Sequence, residues 1–177
     1  MLQSALAEAR IAWEQADLAA KAPNDLALMK KHAMGALHAI DPSLASGGPG
    51  LGYGIQRAVA SIVGHLEAAA AADRQPDMER LAPRALMACR NVLQWTANAA
   101  AVAQRIQRTT SANEAAFLTA DLNRLVKQLV VGTATGRDAR SFTAADRGGL
   151  QSLQRSVGLL MTIREGEVPA WMREVRR

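Results

Sequence analysis

Apolar residues recur at three- and four-residue spacing along most of this chain, the period of a helix that buries one face. Residues 2–21 place Leu2, Leu6, Ala9, Trp13 and Ala16 on one stripe, with Ile11 and Leu18 on a second stripe nearly opposite. Two apolar stripes on one helix mean either a central position or a surface that meets a partner. Pro23, with Asn24 and Asp25 as candidate caps, ends this helix and opens another over 25–40. Its seam is Leu26, Met29, Ala33, Leu37 and Ile40, and Asp41-Pro42 stops it, because the residue before a proline avoids helical dihedrals.

A Gly/Pro-rich connection, 41–54, interrupts the helical pattern. Its run of glycines resembles a phosphate cradle, but it lacks both the Gly-Lys-Ser/Thr ending and the preceding strand of a P-loop. A long link between helices is the better reading. A third helix, 55–73, turns Ile55, Val59, Ile62 and Leu66 inward. The fourth, 77–108, carries Met78, Leu81, Ala85, Cys89, Val92, Thr96, Ala99, Ala103 and Ile106 on one face. Pro83 near its start predicts an early kink or a late beginning.

Ser111-Ala112-Asn113-Glu114 is a capping box that opens a fifth helix, 112–132, with a leucine seam at 118, 122, 125 and 129. A second box, Thr143 to Asp146, opens a sixth over 144–164 with Leu150, Leu153, Val157 and Leu160 inward. Gly166 and Pro169 then release a tail, 165–177, in which Trp171, Met172 and Val175 can dock as a short helix. The pattern shows no strand and no repeat of fixed period. Short links between long helices predict one all-α domain over 1–177, an antiparallel up-and-down bundle of four long helices with shorter accessory ones.

Composition narrows the core. Apolar residues make up 49% of the 177, but much of that is alanine, and aromatics are only 3%. Alanine favours helix and close helix approach while contributing little buried area, so a narrow bundle filled by Leu, Val, Ile and Met is expected. The net charge of +5 is spread among acidic residues with no dense basic stripe, and aromatic stacking platforms are scarce, which argues against nucleic acid. No run of about 18 apolar residues marks a membrane span. Glu8, Arg10, Glu14 and Asp17 break up any signal-peptide pattern at the start. The single cysteine, Cys89, excludes an internal disulfide and falls at core spacing.

Candidate chemistry rests on three histidines. His32 lies about 100° from the seam of its helix, taking about 100° per residue, and His38 lies on the far side. His65 flanks the third helix much as His32 flanks the second. If the two helices pack as a hairpin, His32 and His65 face each other as the sharpest metal-site candidate. No carboxylate falls on a predicted core seam, His65-Leu66-Glu67 has the wrong spacing for a bundle Glu-x-x-His site, and no Cys-x-x-Cys-His attaches haem. Asp138 and Asp146 fall short of a calcium loop, and no serine or cysteine is set beside a base by any motif. His32-Ala33-Met34-Gly35 matches the motif of a histidine phosphotransfer domain only weakly, with that family's lysine and glycine displaced or missing.

Lys31-His32-Ala33-Met34-Gly35-Ala36-Leu37-His38-Ala39-Ile40-Asp41-Pro42, the loop Gly48-Pro49-Gly50-Leu51-Gly52-Tyr53-Gly54, His65, and Gly148-Gly149-Leu150-Gln151 ahead of Leu159-Leu160-Met161 occur together. In combination they resemble a group of uncharacterised bacterial exported proteins, helical bundles in which several helices carry His-x-x-His pairs. The resemblance spans most of the chain and implies an extracytoplasmic bundle. His32 and His65 fall on histidines of that group, while Gly35, Leu81, Arg84 and Ser156 stand where others would be. Should those histidines serve a metal or haem, the resemblance implies that the site has been lost here.

The expectation is therefore a non-catalytic bundle that works by binding or assembly, with no cofactor. Its partner surface is Ile11 and Leu18 with Trp171 and Met172, meeting another protein or a second copy of the chain. The alternative is a transition-metal or haem-binding bundle using His32 and His65.

Overall fold

A computed structural model describes residues 1–45, 47–73, 75–133 and 148–164. Among these residues six α-helices follow in order: α1 Leu2–Ala20, α2 Leu26–Ile40, α3 Ile55–Ala72, α4 Pro76–Arg108, α5 Ala112–Val131 and α6 Leu150–Arg164. A 3-10 turn, Pro42–Leu44, follows α2. Among the described residues there is no strand, only an isolated bridge between Gly132 and Gly148. The chain is an all-α helical bundle.

Local chemistry sets the helix ends where the sequence marks them. Asp25 caps α2 by accepting the amide of Leu28 at 2.9 Å. Ser111 caps α5 by accepting the amide of Glu114 at 3.3 Å, but the capping box is only half closed. The Glu114 carboxylate instead accepts the Thr109 hydroxyl at 2.6 Å, and Thr109 also accepts the amide of Ser111 at 3.2 Å. This ties the α4–α5 corner together. α4 starts at Pro76 and continues as helix through Pro83, so the late start suggested by that proline does not occur.

α2, α3 and α5 each pack on both α1 and α4. α4, with 33 residues and about 50 Å of length, also carries α6. Between these helices lie Met29, Leu37, Ile40, Ile55, Val59, Val92, Ile106, Leu122 and Leu129, all buried. Each such aliphatic side chain contributes about 1.5–3 kcal/mol relative to exposure. The buried faces of α3 and α5, and most of those of α2 and α4, are the seams that periodicity predicts.

Two elements depart from expectation. On α1 the buried seam is Ala5, Glu8, Ala9, Ala12, Ala16 and Ala19, while Leu2, Leu6 and Trp13 sit half-buried at its edge. Several helices crowd α1, and methyl groups let them come close where leucines would hold them apart. The start of α6 is also later than the predicted 144. Gly148 and Gly149 precede the helix, and a Cβ on Gly149 would stand 2.6 Å from both the Gly132 nitrogen and the Leu129 carbonyl oxygen. Backbone therefore lies directly on the end of α5 at that point. The box at Thr143–Asp146 and the tail with Trp171 and Met172 fall outside the described residues.

Candidate functional site

The most developed polar arrangement is built by α1, α2 and the glycine-rich loop. Glu8 projects from the alanine seam of α1 and has no exposed surface. Its carboxylate accepts three backbone amides from the loop: Leu51 on Oε2 at 3.0 Å, and Tyr53 and Gly54 on Oε1 at 3.1 and 3.0 Å. An ionised carboxylate is a pure acceptor with several lone pairs, and it answers three converging N–H groups that have no helix or sheet partner. Gly52 and Gly54 have φ of +83° and +79°, which lets the loop turn its amides inward.

His38 lies beneath the same loop. It sits on the far side of α2 from the seam, as the sequence implies, yet that side is roofed rather than open. A Cβ on Gly48 would stand 2.6 Å from the His38 Cβ. One on Gly50 would meet His38 Nδ1 at 2.7 Å, Glu8 Oε2 at 2.9 Å and the Ala39 Cα at 3.0 Å. Only a chain without side chains at 48 and 50 can lie this close. His38 Nδ1 is buried without a hydrogen-bond partner, and it crowds the same point as the Glu8 oxygen. The rim of the loop is held by the Arg57 guanidinium, 5.2 Å from the centre of the Tyr53 ring.

These residues correct two sequence readings. A carboxylate does occupy a core seam, and it is Glu8. The loop does cradle an oxyanion with its amides, but the anion is the chain's own side chain.

The candidate metal residues have different surroundings. His32, half-buried on α2, places Nδ1 2.9 Å from Oε1 of Gln15 on α1. Gln15 reaches it across Gly35, where a Cβ would stand 2.7 Å from that oxygen. His32 is thus directed to α1, while His65 is exposed on α3, which packs chiefly on α4 and α1. Among the described residues, no group of three or more His, Cys, Asp or Glu side chains is placed to hold a metal ion. Cys89 is fully buried, and desolvation pushes its thiol up to about 12.

Of the partner-surface candidates, Leu18 is 43% exposed, while Ile11 packs at the edge of the core. Phe117, which lies off the leucine seam, is 79% exposed on the outer side of α5. No helix among the described residues is long and apolar enough to cross a membrane. No protein-family model, curated protein or solved structure matches the chain.

Proposed function

We propose that this chain is a non-catalytic binding or assembly module that acts through protein–protein contacts and needs no cofactor. The observation that carries the reading is Phe117. The chain has only two phenylalanines and builds its core from aliphatic side chains, yet one of the two stands 79% exposed. Aromatic side chains are enriched at interfaces, where one ring can bury a large area at low entropic cost. Leu18 on the second stripe of α1 adds exposed apolar surface. Ile11, Trp171 and Met172 complete the proposed contact set, and a protein partner or a second copy of the chain would cover it.

In this reading the helices run antiparallel, up and down, with four long ones forming the body and shorter ones as accessories. The brief links 21–25, 73–75 and 109–111 favour that arrangement. An extracytoplasmic setting, implied by the likeness to bacterial exported bundles, belongs to the same reading.

Sedimentation of the purified chain and of Leu18→Glu and Phe117→Glu tests it. The expected result is a mass above the 18.8 kDa monomer that falls to the monomer in the variants, with unfolding unchanged to within about 0.5 kcal/mol. A monomeric wild type, combined with loss of folding in Leu18→Glu, would make these residues structural and overturn the proposal.

A further inference from the structure

We propose that residues 47–54 form an acid-released strap, held down by the ionised carboxylate of Glu8 and freed, uncovering His38, when that carboxylate is protonated. The strap has few other ties. Gly47, Gly48, Pro49, Leu51 and Gly52 are exposed, and no charged side chain occurs between Asp41 and Arg57. What fastens it is the set of three amides converging on Glu8, together with Tyr53, which packs on the edge of the core beneath Arg57, and the close approach of Gly48 and Gly50 to His38. Protonation removes the negative charge that makes these bonds strong and places an O–H among N–H donors.

The charged groups around Glu8 leave it as the decisive one. From α2, His38 is the titratable side chain that faces it, and His32 is bonded to Gln15 instead. Lys31 of α2 is exposed and Lys30 half-buried, near the other end of that helix. From α3, Arg57 lies on Tyr53. On α5, Glu114 pairs with Arg105, Asp121 pairs with Arg124, and Lys127 is exposed. On α6, Arg155 is exposed and donates to the Gln151 carbonyl. A positive charge on His38 beside Glu8 would favour the ionised carboxylate and oppose release, so charging the imidazole alone would not open the strap.

The test uses the whole chain and two readouts. Amide hydrogen exchange is followed from about pH 7 down to about pH 2, corrected for the intrinsic acid dependence of exchange, because three N–H donors favour the charged carboxylate. The amides of Leu51, Tyr53 and Gly54 should lose protection at least about tenfold in one step, while those of Val92 and Leu122 fall only with the overall stability and stay the better protected. Glu8→Gln, a neutral isostere, leaves at least one loop amide facing an NH2 group whichever way its amide turns. It should show the unprotected loop already at neutral pH, with no further step. Diethyl pyrocarbonate should then modify half-buried His38 faster in Glu8→Gln than in wild type, with exposed His65 reacting equally in both as the control.

Loop and helix amides that exchange together at every pH would overturn the proposal, as would a Glu8→Gln chain with wild-type protection and a His38 no more reactive than in wild type. If Glu8→Gln does not fold, the wild-type pH series decides alone.

Discussion

The carboxylate of Glu8 accepts the amide of Leu51 from 43 residues away in sequence, and that bond joins the first helix to a loop that carries no charge of its own. A buried acid usually signals a metal or a salt bridge. Here its partners are backbone amides, and the bond shapes a loop.

Replacing Glu8 with alanine leaves the amides of Leu51, Tyr53 and Gly54 without their acceptor. Each orphaned amide in a buried setting costs about 1–3 kcal/mol, less whatever water recovers. A net loss of about 2–4 kcal/mol is expected, read as a lower urea midpoint. A variant within about 0.5 kcal/mol of wild type would mean that the loop contributes little to folding.

Two glycines should respond oppositely to alanine. At Gly50 the new methyl meets the imidazole, the carboxylate and the backbone of α2, so Gly50→Ala should cost about 1–3 kcal/mol. Gly64 lies within α3, where an added methyl would have no neighbour inside 4 Å, so Gly64→Ala should stabilise by about 0.5–1 kcal/mol through helix propensity. Thermal unfolding of the two variants side by side distinguishes a crowded glycine from an idle one.

The Cys89 thiol, raised to about 12 by burial, should resist alkylation in the folded chain at pH 8 and react on unfolding. Its effect on stability has a definite sign. Below about pH 9 the thiol is neutral in both states. Above that the unfolded chain releases the proton and the folded chain does not until about 12, so stability falls across this interval by on the order of 1 kcal/mol per pH unit. Cys89→Ala should flatten that part of the pH profile; an unchanged slope would assign the alkaline loss to other groups.

Metal content separates the two functional readings. The binding-module reading expects no stoichiometric metal by elemental analysis and no haem band in the absorption spectrum. A stoichiometric ion or haem that vanishes in His32→Ala would replace it with the cofactor reading.

The helical architecture was largely legible, and the candidate site was not. Leu118, Leu122, Leu125 and Leu129 announce the inner face of α5 because leucine at three- and four-residue spacing has no better place than a core. Ala5, Ala12 and Ala19 announce nothing, since alanine is at home on either side of a helix, and so the larger Leu2, Leu6 and Trp13 drew the predicted face to one side. Glu8 reads as solvated for a simple reason: its partners are amides, which every residue has and no sequence displays. One signal was present. Glycine at 48, 50, 52 and 54 marks backbone that must turn with positive φ or pass close to something, and both occur here. What it passes close to depended on how far round α2 the loop would reach.

The sequence distance between Glu8 and its loop has a kinetic consequence. The α1–α2 and α4–α5 pairs are in contact across links of a few residues, so their contacts come cheaply and early. The carboxylate must wait for the first helix, the second and the turn into the third to assemble before its amides converge. Clasping is therefore expected to be a late event, after the rate-limiting crest. Lesions at Glu8 or Gly50 should consequently shorten the lifetime of the native chain while leaving its speed of folding nearly untouched.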